Sequence, residues 1–264
     1  MSNEGDFESN SDMVPIVKDA WLKYKFANQS IYLGMSATPT FALIEDTWGY
    51  RSVEKVSVDL YKMGSSKDFG IAGKGSFDRE GIFNYHLMFS SGNGNKQEID
   101  KGKSGQLSLY WSPSEAFIFE TFGEYADAEG IEDGYTWRLF GAYMKERFRI
   151  GIEYANQTLK QASTPDIKRR FLSVFVSGKI IENFSLILRG DRMFDPNPDG
   201  GKIAYLPFDP DAPSTFFLAA VEWTPVKGVC ITPNLEYVRY DKSDEDTRPG
   251  DDLYGRVTFY WQFK

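Results

Sequence analysis

The sequence predicts an all-β fold, an antiparallel transmembrane β-barrel, and three observations predict it. Apolar and polar residues alternate with period two from residue 16 to the C-terminus. The alternating segments run to roughly 9 to 13 residues, the length a tilted strand needs to cross a bilayer core. Tight turns and long polar loops alternate between them, as in a meander with short turns on one rim and long loops on the other. Phe, Tyr and Trp supply 16% of the residues and keep to one face of segment after segment, whereas a soluble sheet carries a polar outer face.

Composition removes most other classes. The 264 residues show no internal boundary and read as a single domain over 1–264. No run approaches the ~18 to 20 apolar residues of a membrane helix. With 30 basic against 38 acidic residues the chain carries −8, which repels nucleic acid, so no nucleic acid partner is expected. One cysteine, Cys230, cannot close an intrachain disulfide, and one histidine, His86, cannot build a multi-His metal centre or a conventional relay. No metal, cofactor or catalytic residue is expected, and both side chains read as fillers of strand positions.

The elements follow in order. Strands at 16–26 and 29–36 flank the turn Ala27–Asn28. The long connection 37–66 holds Trp48, Tyr50, Val53, Val56 and Leu60, too apolar for water, so it is expected to fold inward into the barrel mouth. Val53, Val56 and Leu60 at helical spacing predict a short helix over about 46–61, which puts Arg51, Glu54 and Lys55 at the pore constriction. Two further barrel strands are the alternative for this segment. Strands at 67–77 and 82–91 meet at Asp78–Gly81, and the second splits Phe83, Tyr85, Leu87 and Phe89 from Asn84, His86, Met88 and Ser90.

Strands at 104–112 and 116–127 flank Ser112–Glu115; those at 134–145 and 147–159 flank Lys145–Glu146. In the last of these Phe148, Ile150, Ile152 and Tyr154 oppose Arg149, Gly151 and Glu153. Strands at 169–181 and 184–194 turn at Glu182–Asn183, and those at 215–225 and 228–240 at Thr224–Lys227. The final segment, 252–264, places Leu253, Val257, Phe259, Trp261 and Phe263 with Gly255, opposite Tyr254, Arg256, Thr258, Tyr260 and Gln262. Trp111-Ser112-Pro113 and Trp223-Thr224-Pro225 repeat one hairpin design, with the Trp at a lipid interface and the Pro in a turn where it costs no ladder bond.

This makes about thirteen strands. Barrel ends normally share the short-turn rim, which forces an even count. Traced backward from Lys264, the strand at 16–26 starts on the long-loop rim, so an odd number of strands is expected to precede it. The acidic stretch Ser2–Asp12, which lacks the pattern of a leader peptide, then reads as part of an external loop. A miscounted strand is the alternative.

Alternation also assigns the wet face. Its charged members are Asp19, Lys23, Lys74, Glu120, Glu124, Arg138, Arg149, Glu153, Arg189, Asp191, Glu222, Glu236 and Arg256, which are expected to line a lumen. Both signs occur in comparable numbers, as cross-strand ion pairs filling a wall would require. Asp195-Pro-Asn197-Pro-Asp199-Gly200 copies the first half of a calcium loop, but Leu206 stands where the closing carboxylate belongs, so a plain turn is favoured.

Tyr32-Leu33-Gly34-Met35, Thr38-Pro39-Thr40-Phe41, Glu45-Asp46 and Trp48 to Lys55, with Lys18 to Leu22 before them, resemble bacterial outer-membrane porins of the phosphate-selective porin O and P type. The resemblance implies a barrel of about sixteen strands, assembly as a homotrimer, contact with outer-membrane lipid and lipopolysaccharide, and passive diffusion of small hydrophilic solutes or ions, including anions such as phosphate. Thirteen strands plus three would agree with the parity argument. The chain ends on Lys264 after Phe263, where outer-membrane barrels usually end on an aromatic. Two rivals stay open: an outer-membrane barrel enzyme, which needs a nucleophile beside a base, and a soluble β-sheet binding module.

Overall fold

The computed structural model describes residues 17–95, 101–127, 133–161, 163–243 and 246–262. Thirteen strands form one sheet in chain order, each antiparallel to the next. They are β1 (Ala20–Phe26), β2 (Gln29–Ala37), β3 (Lys67–Ser76), β4 (Phe83–Ser90), β5 (Lys103–Ser114), β6 (Phe117–Asp127) and β7 (Gly134–Lys145). Then come β8 (Phe148–Leu159), β9 (Ile167–Ile181), β10 (Phe184–Met193), β11 (Ser214–Val226), β12 (Val229–Tyr240) and β13 (Asp252–Trp261). Most bounds fall within a few residues of the expected ones, because each strand is a run of alternation cut by a turn. The expected stretches 1–16 and 263–264, and with them the loop reading of Ser2–Asp12 and the Phe263–Lys264 ending, lie outside the described residues. Among the described residues β1 and β13 each have a single neighbour, so the sheet has two edges.

The two faces differ as the alternation requires. Outward side chains remain apolar and exposed: Ile152 is 51%, Phe259 63% and Trp261 54% accessible. Such a surface is far larger than a water-soluble monomer tolerates. Its aromatic residues gather in two bands. On the short-turn rim Trp111 lies between Phe83 and Phe119, with ring centroids 6.1 and 5.5 Å away, and Trp223 stacks on Phe184 at 6.3 Å. On the long-loop rim Tyr125 meets Tyr135 at 5.2 Å, Trp137 meets Tyr154 at 5.3 Å and Phe217 meets Tyr237 at 6.4 Å. Aromatic rings suit the boundary between hydrocarbon and headgroups, so the bands mark the two edges of an apolar belt.

The connection between β2 and β3 folds inward and packs on the concave face, and there it corrects one expectation. In place of one helix over 46–61 there are two short ones, α1 (Ala42–Trp48) and α2 (Ser57–Leu60). Gly49, at φ 70°, ends α1 in the left-handed conformation that glycine adopts without strain. Val56 then enters α2 from an extended conformation. The helical spacing of Val53, Val56 and Leu60 marked a shared buried side, since all three belong to the core. The segment forms no barrel strand.

That core is built from the inward loop and the concave side chains of β7 to β12: Trp48 packs edge-on against Phe175 at 5.1 Å, and Tyr61 lies 5.3 Å from Phe171. Side chains on β5, β7, β8, β9 and β10 all reach this one loop, so the sheet curls around it.

Candidate functional site

Cross-strand register fixes which side chains share the concave face. One row runs Lys25, Ser30, Lys74, His86, Ser108, Phe122 and Arg138 across β1 to β7. Its neighbour pairs Lys23 with Tyr32, and farther round Glu124 with Thr136. Glu120, Phe140, Glu153, Ser173 and Asp191 make a third row, and Arg189, Leu218, Glu236 and Tyr254 a fourth. Arg149 lies beside Ser177, Glu222 beside Ser185 and Arg256 beside Asn234, again on this face. Asp19 precedes β1 and takes the ammonium of Lys67 at 2.7 Å.

The arginines of this set do not stand free in the lumen. The inward loop has little ladder of its own, so its backbone carbonyls need donors. Arg138 donates to the Thr40 carbonyl and Arg189 to that of Lys55. Arg149 donates to Thr47, Arg169 to Lys62 and Gln157 to Met63, at 3.3, 3.3 and 3.2 Å. A guanidinium presents five N–H groups in a rigid fork, so Arg138 and Arg189 can each hold a carbonyl while other donors engage the wall. Arg138 thus also reaches Glu120 at 2.6 Å and lies 3.8 Å from Glu153, all three side chains nearly inaccessible. Arg189 forks onto Asp191 and sits 5.6 Å from the centroids of both Trp48 and Phe216.

A second segment, between β10 and β11, closes over the first. Asn197 donates to the Tyr61 carbonyl at 3.1 Å, the Tyr205 hydroxyl donates to Glu54 Oε1 at 2.6 Å, and Arg256 donates to the Tyr205 carbonyl. Asp195 accepts the Arg170 fork at 2.8 and 2.7 Å, and Asp199 takes Arg169 at 2.7 Å together with Lys202. Those carboxylates are occupied by cations, and among the described residues no three His, Cys, Asp or Glu groups gather for a metal. Burial pushes Asp199 up, yet Lys202 and Arg169 outweigh it and hold its carboxyl below the ordinary range.

The three constriction candidates separate. Arg51 is exposed and bridges Glu45 and Asp59, each at 3.0 Å. Lys55 lies 3.9 Å from Asp59 and 5.7 Å from the centre of the Tyr205 ring. Glu54 corrects the expectation that it faces the pore: it is 2% exposed, because Val53 and Val56 on either side both turn into the core. Burial pushes its carboxyl up, opposed by the Tyr205 hydroxyl and the Arg189 charge. Tyr205, Arg169, Gln157 and Asn197 were missed from the sequence. For Tyr205 the available signal was the apolar trio Ile203, Leu206 and Phe208 inside a Pro- and Asp-rich loop.

The wall opposite the packed loop is different. Lys23 and Lys74 both lie over the Tyr32 ring, at 5.1 and 5.3 Å, and among the described residues neither is in an ion pair. His86, next to Lys74 in its row, buries an Nε2 atom with no hydrogen-bond partner. Asp46 of α1 is exposed and interacts electrostatically with Lys74. Two cations without an ion pair, Lys23 on β1 and Lys74 on β3, therefore share this wall, and Asp46 of the loop acts on one of them.

No protein-family model and no curated protein matches the chain. Solved structures do. The chain is similar to the outer-membrane protein OmpT of Vibrio cholerae, with TM-score 0.67 and 14% identity over 93% of this chain and 81% of that one. An in-vitro folded trimer form of that protein aligns at TM-score 0.65 and 13% identity, over 93% of this chain and 80% of the other. OmpF of Salmonella typhi aligns at TM-score 0.65 and 10% identity, over 92% of this chain and 77% of that one. An anion-selective porin from Comamonas acidovorans aligns at TM-score 0.61 and 11% identity, over 91% of this chain and 74% of that one. At these identities the likeness is one of fold, and the fold of this chain is that of the outer-membrane β-barrel porins.

Proposed function

We propose that this chain forms a water-filled channel in the bacterial outer membrane for passive diffusion of small hydrophilic solutes or ions, with no catalytic step. The observation that carries the reading is the continuous division of the sheet, rows of charged side chains inside and an apolar belt with two aromatic bands outside. A wall of that kind separates lipid from water, and the inward loop narrows what it encloses. Anions, phosphate among them, are the favoured solutes. The support is the unpaired Lys23 and Lys74 on one side of the narrowing.

Two further parts belong to the proposal. In hydrocarbon every unpaired backbone group costs several kcal/mol, so the edges at β1 and β13 require partners. As the first and last of thirteen antiparallel strands they run parallel, and only an odd number of strands, three in our reading, closes the barrel antiparallel throughout. The closed barrel assembles as a homotrimer, as the Vibrio protein does in its trimer form.

The test is conductance of the full-length protein in planar bilayers. Stepwise insertion with a reversal potential favouring anions is expected, and the double variant Lys23→Gln/Lys74→Gln should move that potential toward cations. Protein that folds, judged by heat-modifiable migration in detergent, yet yields no conductance steps overturns the channel; an unmoved reversal potential overturns the anion preference.

A further inference from the structure

Two buried carboxyl groups sit at the seam between the inward loop and the wall. Glu54 of the loop is 2% exposed, and Glu236 on β12 is fully buried. Glu54 Oε1 accepts twice, from the Tyr205 hydroxyl and from the Lys55 backbone N–H, each at 2.6 Å, whereas no described residue donates to its Oε2. Glu236 shows the same asymmetry: Arg256 donates to its Oε2, and its Oε1 has no donor among the described residues. Of the charges acting on Glu236, that of Glu54 comes ahead of the Arg256 guanidinium that touches it, so the two carboxyls are close neighbours.

The cations around the pair are too few to neutralise both acids. On β10 Arg189 is committed to Asp191 and to the Lys55 carbonyl, and Tyr61 of the loop adds its hydroxyl to Asp191 at 3.1 Å. Within the loop the Lys55 ammonium lies 3.9 Å from Asp59, which Arg51 also bridges. On β13 Arg256 engages Glu236 with one arm and the Tyr205 carbonyl with the other, and the Tyr254 ring centre lies 5.3 Å from its guanidinium. Two carboxylates beside one available guanidinium leave a negative charge in excess, and a buried site does not sustain it. Burial pushes the Glu54 carboxyl up, as expected of an acid that keeps its proton.

We propose that Glu54 and Glu236 form a buried proton-binding site, holding one proton in common at neutral pH, and that loss of this proton changes the width of the narrowing. The hydrogen bonds already made assign its place. Glu54 Oε1 accepts two of them, as the carbonyl oxygen of an un-ionised acid does, so the proton sits on Oε2 and is donated to Glu236 Oε1. One proton thereby satisfies both orphan oxygens. Without it two carboxylates repel in a buried site with one guanidinium beside them, and that guanidinium also carries the Tyr205 carbonyl. The repulsion falls where the loop, the segment between β10 and β11 and the wall all meet. Arg138 and Arg169 hold the loop elsewhere, at Thr40 and Lys62, so the part around Glu54 is the part that shifts. The effect on width rests on the channel reading above; the shared proton does not.

The experiment uses the full-length protein in detergent, with heat-modifiable migration confirming that each variant folds. Infrared difference spectra in the carbonyl-stretch region should show a protonated carboxyl at neutral pH that disappears as the pH is raised. The ratio of acid to carboxylate should fall about tenfold per pH unit, as for one proton held by a coupled pair. Glu54→Gln and Glu236→Gln should each lose this band, the second because the one acid left beside Arg256 ionises. Tyr205→Phe should keep the band and move its midpoint to higher pH, since the lost hydroxyl favoured the ionised form of Glu54. A parent without a titrating band overturns the proton, a band that survives Glu236→Gln overturns the sharing, and an unmoved midpoint in Tyr205→Phe overturns its assignment to Glu54. In planar bilayers the parent should gain a second conductance level over the same pH range, while Glu54→Gln keeps one level throughout. A parent with a single level at every pH overturns the effect on width. Protein whose band titrates but that yields no conductance steps counts against the channel and not against the proton.

Discussion

Replacing Arg138 by Met tests the inward loop most directly. This side chain is 1% exposed and ties three things together: the Thr40 carbonyl of the loop, Glu120 at 2.6 Å and Glu153 at 3.8 Å. Met fills much of the same volume but offers no donor. Glu120 keeps a hydrogen bond from Ser108, but both carboxylates are left buried without their cation. Breaking a buried ion pair from one side costs about 3–5 kcal/mol, and the lost charged hydrogen bond to the loop adds about 1.5–3. Unfolding in urea, followed by tryptophan fluorescence in detergent micelles, should therefore show a loss of at least about 3 kcal/mol. Adding Glu120→Gln should restore part of it, since a neutral amide tolerates the site where an orphaned carboxylate does not. Channel recordings on Arg138→Met should show larger and noisier steps as the Thr40 end of the loop comes away. A variant as stable as the parent, with unchanged steps, refutes the claim that this arginine holds the loop.

Glu54 gives a pH dependence of defined sign. Burial raises its folded pKa above the ordinary 4.5, so the native state binds the proton more tightly than the unfolded chain. Its contribution to stability is then fully present below the unfolded value and lost as pH rises through the folded one. Unfolding free energies between about pH 4 and 8 should fall less steeply in Glu54→Gln than in the parent, and identical slopes count against this. Gly34 has φ +117°, and a Cβ there would meet the Ala20 carbonyl oxygen at 2.3 Å. Gly34→Ala should cost about 1–3 kcal/mol and expose β1 to hydrogen exchange while β8 and β9 stay protected; protection of β1 at the parent level would show that the hairpin yields without strain.

The strands were legible because each imposes a period of two on its own residues. β8, expected over 147–159, is Phe148–Leu159, and the division of Ile150 and Ile152 from Arg149 and Glu153 survives in the sheet. The roles of the lumen arginines were not legible. Arg138 meets Thr40 across 98 positions and Arg189 meets Lys55 across 134, and alternation states only which face a residue occupies, not what approaches it there. The break between α1 and α2 lay in between. A glycine after Trp48 is a recognisable helix stop, yet the apolar spacing beyond it read as continuation. Tyr205 was hidden because its loop resembles a cation-binding turn, and its effect on Glu54 exists only once two distant loops meet.

Five donors on β7, β8, β9 and β10 grip carbonyls spread from Thr40 to Met63, and this arrangement ties aperture to curvature. Flattening the wall would draw the guanidinium groups apart faster than one loop can stretch. Tightening it would crowd Trp48 against Phe175. In the proposed channel the width left open for a solute is thus set by the curvature of the whole sheet, and a mutation far out on the lipid side that alters strand tilt should retune permeation without touching a single residue of the passage.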